Sequence, residues 1–201
     1  MIDEMITIVS GLPRSGTSMM VKMLEAGGMD VLTDRIRKAD EFNPNGYYEY
    51  EKVKEIAQDA SWLKEAKGKG VKIITALLQH LPEKYTYKII LMHRNMNEIL
   101  NSQKRMLIGR KQPTGQISDE NMKMVFHNHL EKVVGWIGTQ SNMKILHIHY
   151  NEVLKEPAKH IKMVNQFLMK TLNTNDMISV VDEDLYRNQV ALDSKLCQRN
   201  N

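Results

Sequence analysis

Short apolar runs and stretches of helical periodicity alternate along this chain. MITIV (residues 5–9) predicts a buried strand. Residues 17–26 set Met20, Met23 and Leu24 on one face, and Gly27 and Gly28 follow as a stop, so a helix is expected there. DEFNPNGYYEY (residues 40–50) reads as a turn-rich loop, because Asn-Pro and Asn-Gly are turn dipeptides. Residues 51–67 read as a helix, 71–75 as a short strand, and YKIILM (87–92) as a strongly apolar strand. Asn95 caps the next predicted helix, with Glu98 in the capping-box position. RKQPTGQ (110–116) reads as a loop. Ser118 opens a long helix whose apolar stripe is Met122, Val125, Phe126, Leu130, Val133, Val134 and Ile137. A strand over 143–148 and a helix from Pro157 to about Leu172 complete the pattern, and the polar stretch after Asn173 has no clear period.

This alternation predicts an α/β fold, a three-layer αβα sandwich with a mostly parallel central sheet and helices on both faces. Residues 1–201 are read as one domain, since no linker or repeat divides them. In such sheets, ligands bind beyond the carboxyl ends of the strands. The stretch SGLPRSGTS (residues 10–18) follows the first strand at such an end.

Composition narrows the class. Apolar residues make up 42% and charged residues 26%, as in soluble globular proteins. No apolar run approaches the ~20 residues of a membrane span, the N-terminus lacks a basic n-region, and Cys197 is the one cysteine, so a cytoplasmic protein is expected. The net charge of +4 is unevenly placed, with KEAKGKGVK (64–72) and KRMLIGRK (104–111) as solvated faces or an anion-binding surface. Aromatics are 6% and do not interleave with these stretches, which argues against nucleic acid. His127 and His129 face different ways on a helix, and His147 and His149 lack further ligands, so no metal site is expected.

The loop carries the chemistry. Gly11 and Gly16 keep the spacing of Gly-x-x-x-x-Gly-Lys-[Ser/Thr], and Ser18 keeps the hydroxyl, but Thr17 stands where the lysine belongs. Backbone N–H groups at a helix start still point at an anion, helped by the helix dipole. Arg14 can supply positive charge from another angle. The strands over 87–92 and 143–148 lead into His93-Arg94 and His149-Tyr150, with no aspartate to help hold Mg²⁺. Phosphate binding is kept, and a metal-assisted phosphoryl-transfer set is not evident.

PRSGTS (residues 13–18) resembles the 5′-phosphosulfate loop of sulfotransferases that use 3′-phosphoadenosine-5′-phosphosulfate (PAPS). The resemblance implies a P-loop-like fold, a sulfonate donor and no metal. It implies donor contacts from Gly11, Pro13, Arg14, Ser15, Gly16, Thr17 and Ser18. MHRNMNEILNS (92–102) is similar to the family's 3′-phosphate site, an Arg followed eight residues later by a Ser, which implies that role for Arg94 and Ser102. HYNEVLKEP (149–157), NPNGYYE (43–49) and LYR (185–187) are softer matches, the last implying a 3′-phosphate contact from Arg187. The likeness runs from Ile6 to about Phe167 and is to short members of bacterial or phage type.

One departure changes the expected mechanism. Well-known cytosolic members carry Lys-x-His on the strand after the second helix, and here Lys72 is kept while Ile74 stands in place of the histidine base. Other branches use a carboxylate from the loop after the first helix, which makes Glu49 the favoured base, ahead of Glu41, Asp34 and Asp40. Lys72 and Arg14 are then expected to stabilise charge on the leaving oxygen. The acceptor is open among a sugar, a small alcohol or phenol, and a peptide tyrosine, and oligomeric state is unread. The competing readings are a small-molecule kinase using ATP and Mg²⁺ and a silent nucleotide-binding module.

Overall fold

Every residue of β1 (Ile6–Gly11) is buried, and its alternating side chains feed two separate cores. A computed structural model describes residues 4–43, 46–114 and 117–181. Among these, β1, β2 (Val31–Leu32), β3 (Gly70–Lys72), β4 (Tyr87–His93) and β5 (Met143–His149) form a five-stranded sheet in the order β2-β3-β1-β4-β5. All four pairings are parallel, and Gly11 lies opposite Met92.

Period-two alternation sorts the strands' side chains. Val9, Ile90, Met92 and Ile148 point to one face, where Met20, Met23 and Leu24 of α1 (Thr17–Ala26) cover them. Side chains of α4 (Tyr150–Lys155), α5 (Pro157–Leu168) and α6 (Thr174–Ser179) join the same cluster. Ile6, Ile8, Val71 and Ile89 point to the other face, against Trp62, Leu63 and Ile137, the last from α3 (Asp119–Gly138). Each such fully buried side chain contributes about 1.5–3 kcal/mol. The expected three-layer α/β fold with a parallel sheet is present.

The strand order positions the site. From β1 the chain runs to β2 and β3 on one side, and from β4 through α2 (Met96–Gly109) to β5 on the other. The direction reverses between β1 and β4, so a crevice opens at their carboxyl ends. The loop after β1 and the Arg after β4 are therefore neighbours.

Several elements differ from the sequence reading. Residues 51–67 form two short 3₁₀ helices, Glu51–Glu55 and Ser61–Ala66, instead of one helix. The Asp59 carboxylate accepts from the Ser61 N–H at 2.8 Å and competes with the helical ladder. The strand expected over 71–75 ends at Lys72, and Thr75–His80 turns as a 3₁₀ helix. The last long helix stops at Leu168, where Met169 is left-handed and Asn165 bonds both Leu172 N and O. On α3, Val125 is 56% exposed although the stripe predicts burial. β2 and α4 were not anticipated, being too short to show a period.

Candidate functional site

The loop between β1 and α1 is shaped by two glycines. Gly16 is the N-cap of α1 with φ 96°, a left-handed value that other residues resist. A Cβ there would also run into the Tyr150 ring, and one at Gly11 would meet the Ser15 hydroxyl and lie 2.8 Å from Met92 O. Met20 N is the first amide of α1 to find a helical acceptor, in Gly16 O at 3.1 Å. The N–H groups of Thr17, Ser18 and Met19 are thus at a helix start with no carbonyl one turn back inside the helix. Ser15 is buried, and its hydroxyl has no hydrogen-bond partner among the described residues. A buried unpaired hydroxyl beside open helix amides fits an anion's oxygens. Pro13 is exposed at the rim.

Arg14 crosses the crevice. Its Nε donates to Ser102 Oγ at 2.9 Å, and another guanidinium nitrogen donates to Phe42 O at 2.5 Å. Arg94, at the end of β4, donates to Arg14 O at 3.2 Å and lies 4.4 Å from the centre of the Tyr150 ring. Arg14 of the loop and the Arg94–Ser102 motif, picked out separately in the sequence, are brought together. Arg94 is also half of a buried ion pair: Nε donates to Glu98 at 2.9 Å, with side chains 7% and 3% exposed. Asn151 Nδ2 donates to the same carboxylate at 3.1 and 3.2 Å. Glu98 thus holds Arg94 across one helical turn, a role that its capping-box position concealed.

A second group gathers around Ser18. Lys72, at the end of β3, donates to Ser18 Oγ at 3.4 Å and to Tyr47 O, and lies 3.7 Å from Glu49. Its side chain is 10% exposed. Burial pushes the ammonium down to about 8, against the pull of Glu49. The Glu49 carboxylate accepts from Arg37 at 3.2 Å. Arg37 in turn lies 3.3 Å over the Tyr47 ring. Arg37 was missed in the sequence, because its contact with Glu49 spans a loop with no repeating pattern.

The other carboxylates of this loop are engaged locally. Asp34 accepts from the N–H groups of Ile36 at 3.0 Å and Glu51 at 2.6 Å. Asp40 accepts from Phe42 N, Asn43 N, the Tyr47 hydroxyl and Arg110. Burial alone would raise the Asp40 pKa, and those hydrogen bonds hold it below its ordinary value. Asn43 Nδ2 reaches Ser18 Oγ at 3.2 Å, so the loop lies directly over the helix start. Glu41 is exposed. Arg187 lies outside the described residues.

His93, His147 and His149 stack beside Arg94, with centroids 5.0 Å apart in both pairs. Burial, then the two neighbouring imidazoles, brings His93 down to about 4. Among the described residues, no group of three or more His, Cys, Asp or Glu is arranged to hold a metal ion. No described helix is long and apolar enough to cross a membrane.

The sulfotransferase domain family matches residues 6–189. Among solved structures, mouse sulfotransferase SULT7A1 complexed with PAP (adenosine 3′,5′-bisphosphate) superposes with a TM-score of 0.58 at 15% identity, over 94% of this chain and 71% of that one. The sulfotransferase domain of the Synechococcus PCC 7002 olefin synthase superposes with a TM-score of 0.57 at 12% identity, over 91% of this chain and 79% of that one. A retinol dehydratase in complex with androsterone and the inactive cofactor PAP matches 89% of this chain at 19% identity and a TM-score of 0.47, and the chain spans 63% of that protein's length. A search of curated proteins found no significant match.

Proposed function

The chain belongs to the sulfotransferase domain family, and on that premise we propose that it moves the sulfonate of PAPS to a hydroxyl or amine acceptor by direct in-line transfer. The donor supplies a sulfur centre whose bridging oxygen leaves with adenosine 3′,5′-bisphosphate. The reading takes the chain as a single domain and the transfer as metal-free.

Support for the donor comes from two parts of the crevice. The open amides of Thr17 and Ser18, the unpaired Ser15 hydroxyl and the close approach that Gly11 permits suit the 5′ end. Arg94 and Ser102, facing that loop across the β1–β4 switch point, suit the 3′-phosphate through a guanidinium fork and a hydroxyl. Arg14, Ser18 and Lys72 bond to Phe42, Asn43 and Tyr47, and the donor's oxygens replace those partners.

The observation that carries the transfer step is the meeting of Glu49 and Lys72 beside Ser18, with Lys72 Nζ 3.4 Å from Ser18 Oγ and 3.7 Å from Glu49. Glu49 takes the acceptor's proton as the acceptor oxygen or nitrogen bonds to sulfur. The sulfur–oxygen bond to the phosphate breaks, and Lys72, Arg14 and the helix-start amides oppose the charge growing on that oxygen. Asp34 and Asp40 hold their own loop instead, which leaves Glu49 as the carboxylate that Lys72 reaches.

Glu49→Gln tests the assignment. Binding of adenosine 3′,5′-bisphosphate is expected to persist while sulfonate transfer across a panel of hydroxyl and amine acceptors falls by about 10²–10⁴-fold. A variant that keeps most of its transfer activity removes Glu49 from the role.

A further inference from the structure

A cavity of about 190 Å³ is lined by Arg37, whose guanidinium donates to Glu49 at 3.2 Å. It is smaller than the ~300–1,000 Å³ of pockets that enclose a whole ligand, so it takes one end of a molecule. Arg35, Arg37 and Lys38 line it with Thr33, Tyr47 and Tyr48, and no carboxylate belongs to its described wall. The tyrosine hydroxyls are engaged elsewhere, Tyr47 with Asp40 at 2.7 Å and Tyr48 with Glu25 at 2.8 Å. The charged groups left to meet a ligand are therefore cationic.

The charge balance points the same way. Arg35 pairs with Glu25 at 2.5 Å and Arg37 with Glu49 at 3.2 Å, and both carboxylates lie outside the lining. Lys38 has no ion-pair partner among the described residues. An anion in the cavity faces three positive groups at once, two of which, Arg35 and Lys38, are also open to solvent. Arg37 ties this wall to the transfer site, since it lines the cavity while its guanidinium meets the Tyr47 ring and Glu49.

We propose that this cavity is the acceptor's anion subsite, and that the acceptor carries a carboxylate, sulfate or phosphate close to the hydroxyl or amine that is sulfonated. The inference rests on the transfer reading above and narrows its substrate class. Arg37 both grips the anion and holds Glu49, so an anionic acceptor is placed with its nucleophile toward the base.

The test uses matched probes with PAPS and the full chain: methyl glucoside against methyl glucuronide, glucose 6-sulfate and glucose 6-phosphate, and 4-methylphenol against 4-hydroxyphenylacetate. Binding of adenosine 3′,5′-bisphosphate is measured first. Its absence in the wild type would overturn the transfer reading and this inference with it. With that binding intact, the anionic member of at least one series is expected to bind the PAP-saturated protein, and to be turned over, about tenfold better than its neutral partner. The carboxylate, sulfate and phosphate arms identify the group preferred. Lys38→Glu is expected to erase or invert the preference while leaving PAP affinity unchanged, and Lys38→Ala to erase it without inversion. Neutral and anionic probes that perform alike, no saturable binding of any anionic probe, or a preference unmoved by Lys38→Glu would each overturn the proposal and leave the donor reading standing.

Discussion

Lys72 carries its charge in a place that resists it, and the consequence is measurable. The side chain is 10% exposed, and burial brings its pKa down to about 8 from an ordinary 10.5. If the ammonium opposes charge on the leaving oxygen, the active fraction falls as pH rises through that value. The protonated fraction drops from about 0.9 at pH 7 to about 0.1 at pH 9, a roughly tenfold loss in kcat/KM for PAPS. Arginine stays protonated across this range, so Lys72→Arg is expected to flatten the alkaline limb whatever its absolute rate. Lys72→Ala is expected to lower kcat by about 10²–10³-fold at pH 7, the scale for loss of one preorganised electrostatic contact. The assay is the pH dependence of kcat/KM at limiting PAPS between pH 6 and 10. A flat profile, or an alkaline limb that survives unchanged in Lys72→Arg, would refute the reasoning.

Three further outcomes follow from the geometry. Gly16→Ala forces a side chain onto a φ of 96° and into the Tyr150 ring, so a loss of about 1–3 kcal/mol in stability and weaker donor binding are expected in urea melts and calorimetry; unchanged values would mean the loop can relax. Glu98→Ala takes the carboxylate out of the buried ion pair with Arg94 and is expected to cost about 3–5 kcal/mol on urea unfolding, and a cost below about 1 kcal/mol would show that the pair is not structural. His93 has a pKa of about 4 in the native state against 6.5 ordinarily, so the unfolded chain gains the proton first as pH falls. Stability is then full above about pH 6.5 and declines by about 3 kcal/mol toward pH 4, and His93→Gln is expected to remove that part of the decline in acid-titrated melts.

The phosphate loop was legible because its information is local. Two glycines and a hydroxyl sit within eight residues directly behind an apolar strand, and each is demanded by the backbone path. Arg94 and Ser102 were legible for the same reason, on one strand end and one helix. The partnership of Glu98 with Arg94 and Asn151 was not, since an acid three residues after Asn95 satisfies a capping-box pattern equally well. Asp34 and Asp40 stayed eligible for catalysis behind Glu49, because sequence shows the acid and not which amides it accepts. The contact between Lys72 and Glu49 joins a strand end to an irregular loop, and only the fold closes that distance. The helix expected over 51–67 is two 3₁₀ pieces, and the break ahead of Ser61 is where Asp59 accepts from the Ser61 N–H in competition with the helical ladder. Val125 sits on a stripe that is apolar in sequence and uncovered in the fold, because the apolar pattern reports what a helix could bury and not what reaches it.

The central claim is a donor site that reads the 3′-phosphate. The most direct measurement is calorimetric titration with adenosine 3′,5′-bisphosphate and, separately, adenosine 5′-monophosphate, in EDTA, on the wild type and on Arg94→Ala. The account predicts that the bisphosphate binds about 10–150-fold more tightly than the monophosphate, the worth of a charge-assisted phosphate contact. Arg94→Ala is expected to remove most of that difference. Equal affinities for the two nucleotides in the wild type, or a preference that survives in Arg94→Ala, would contradict it.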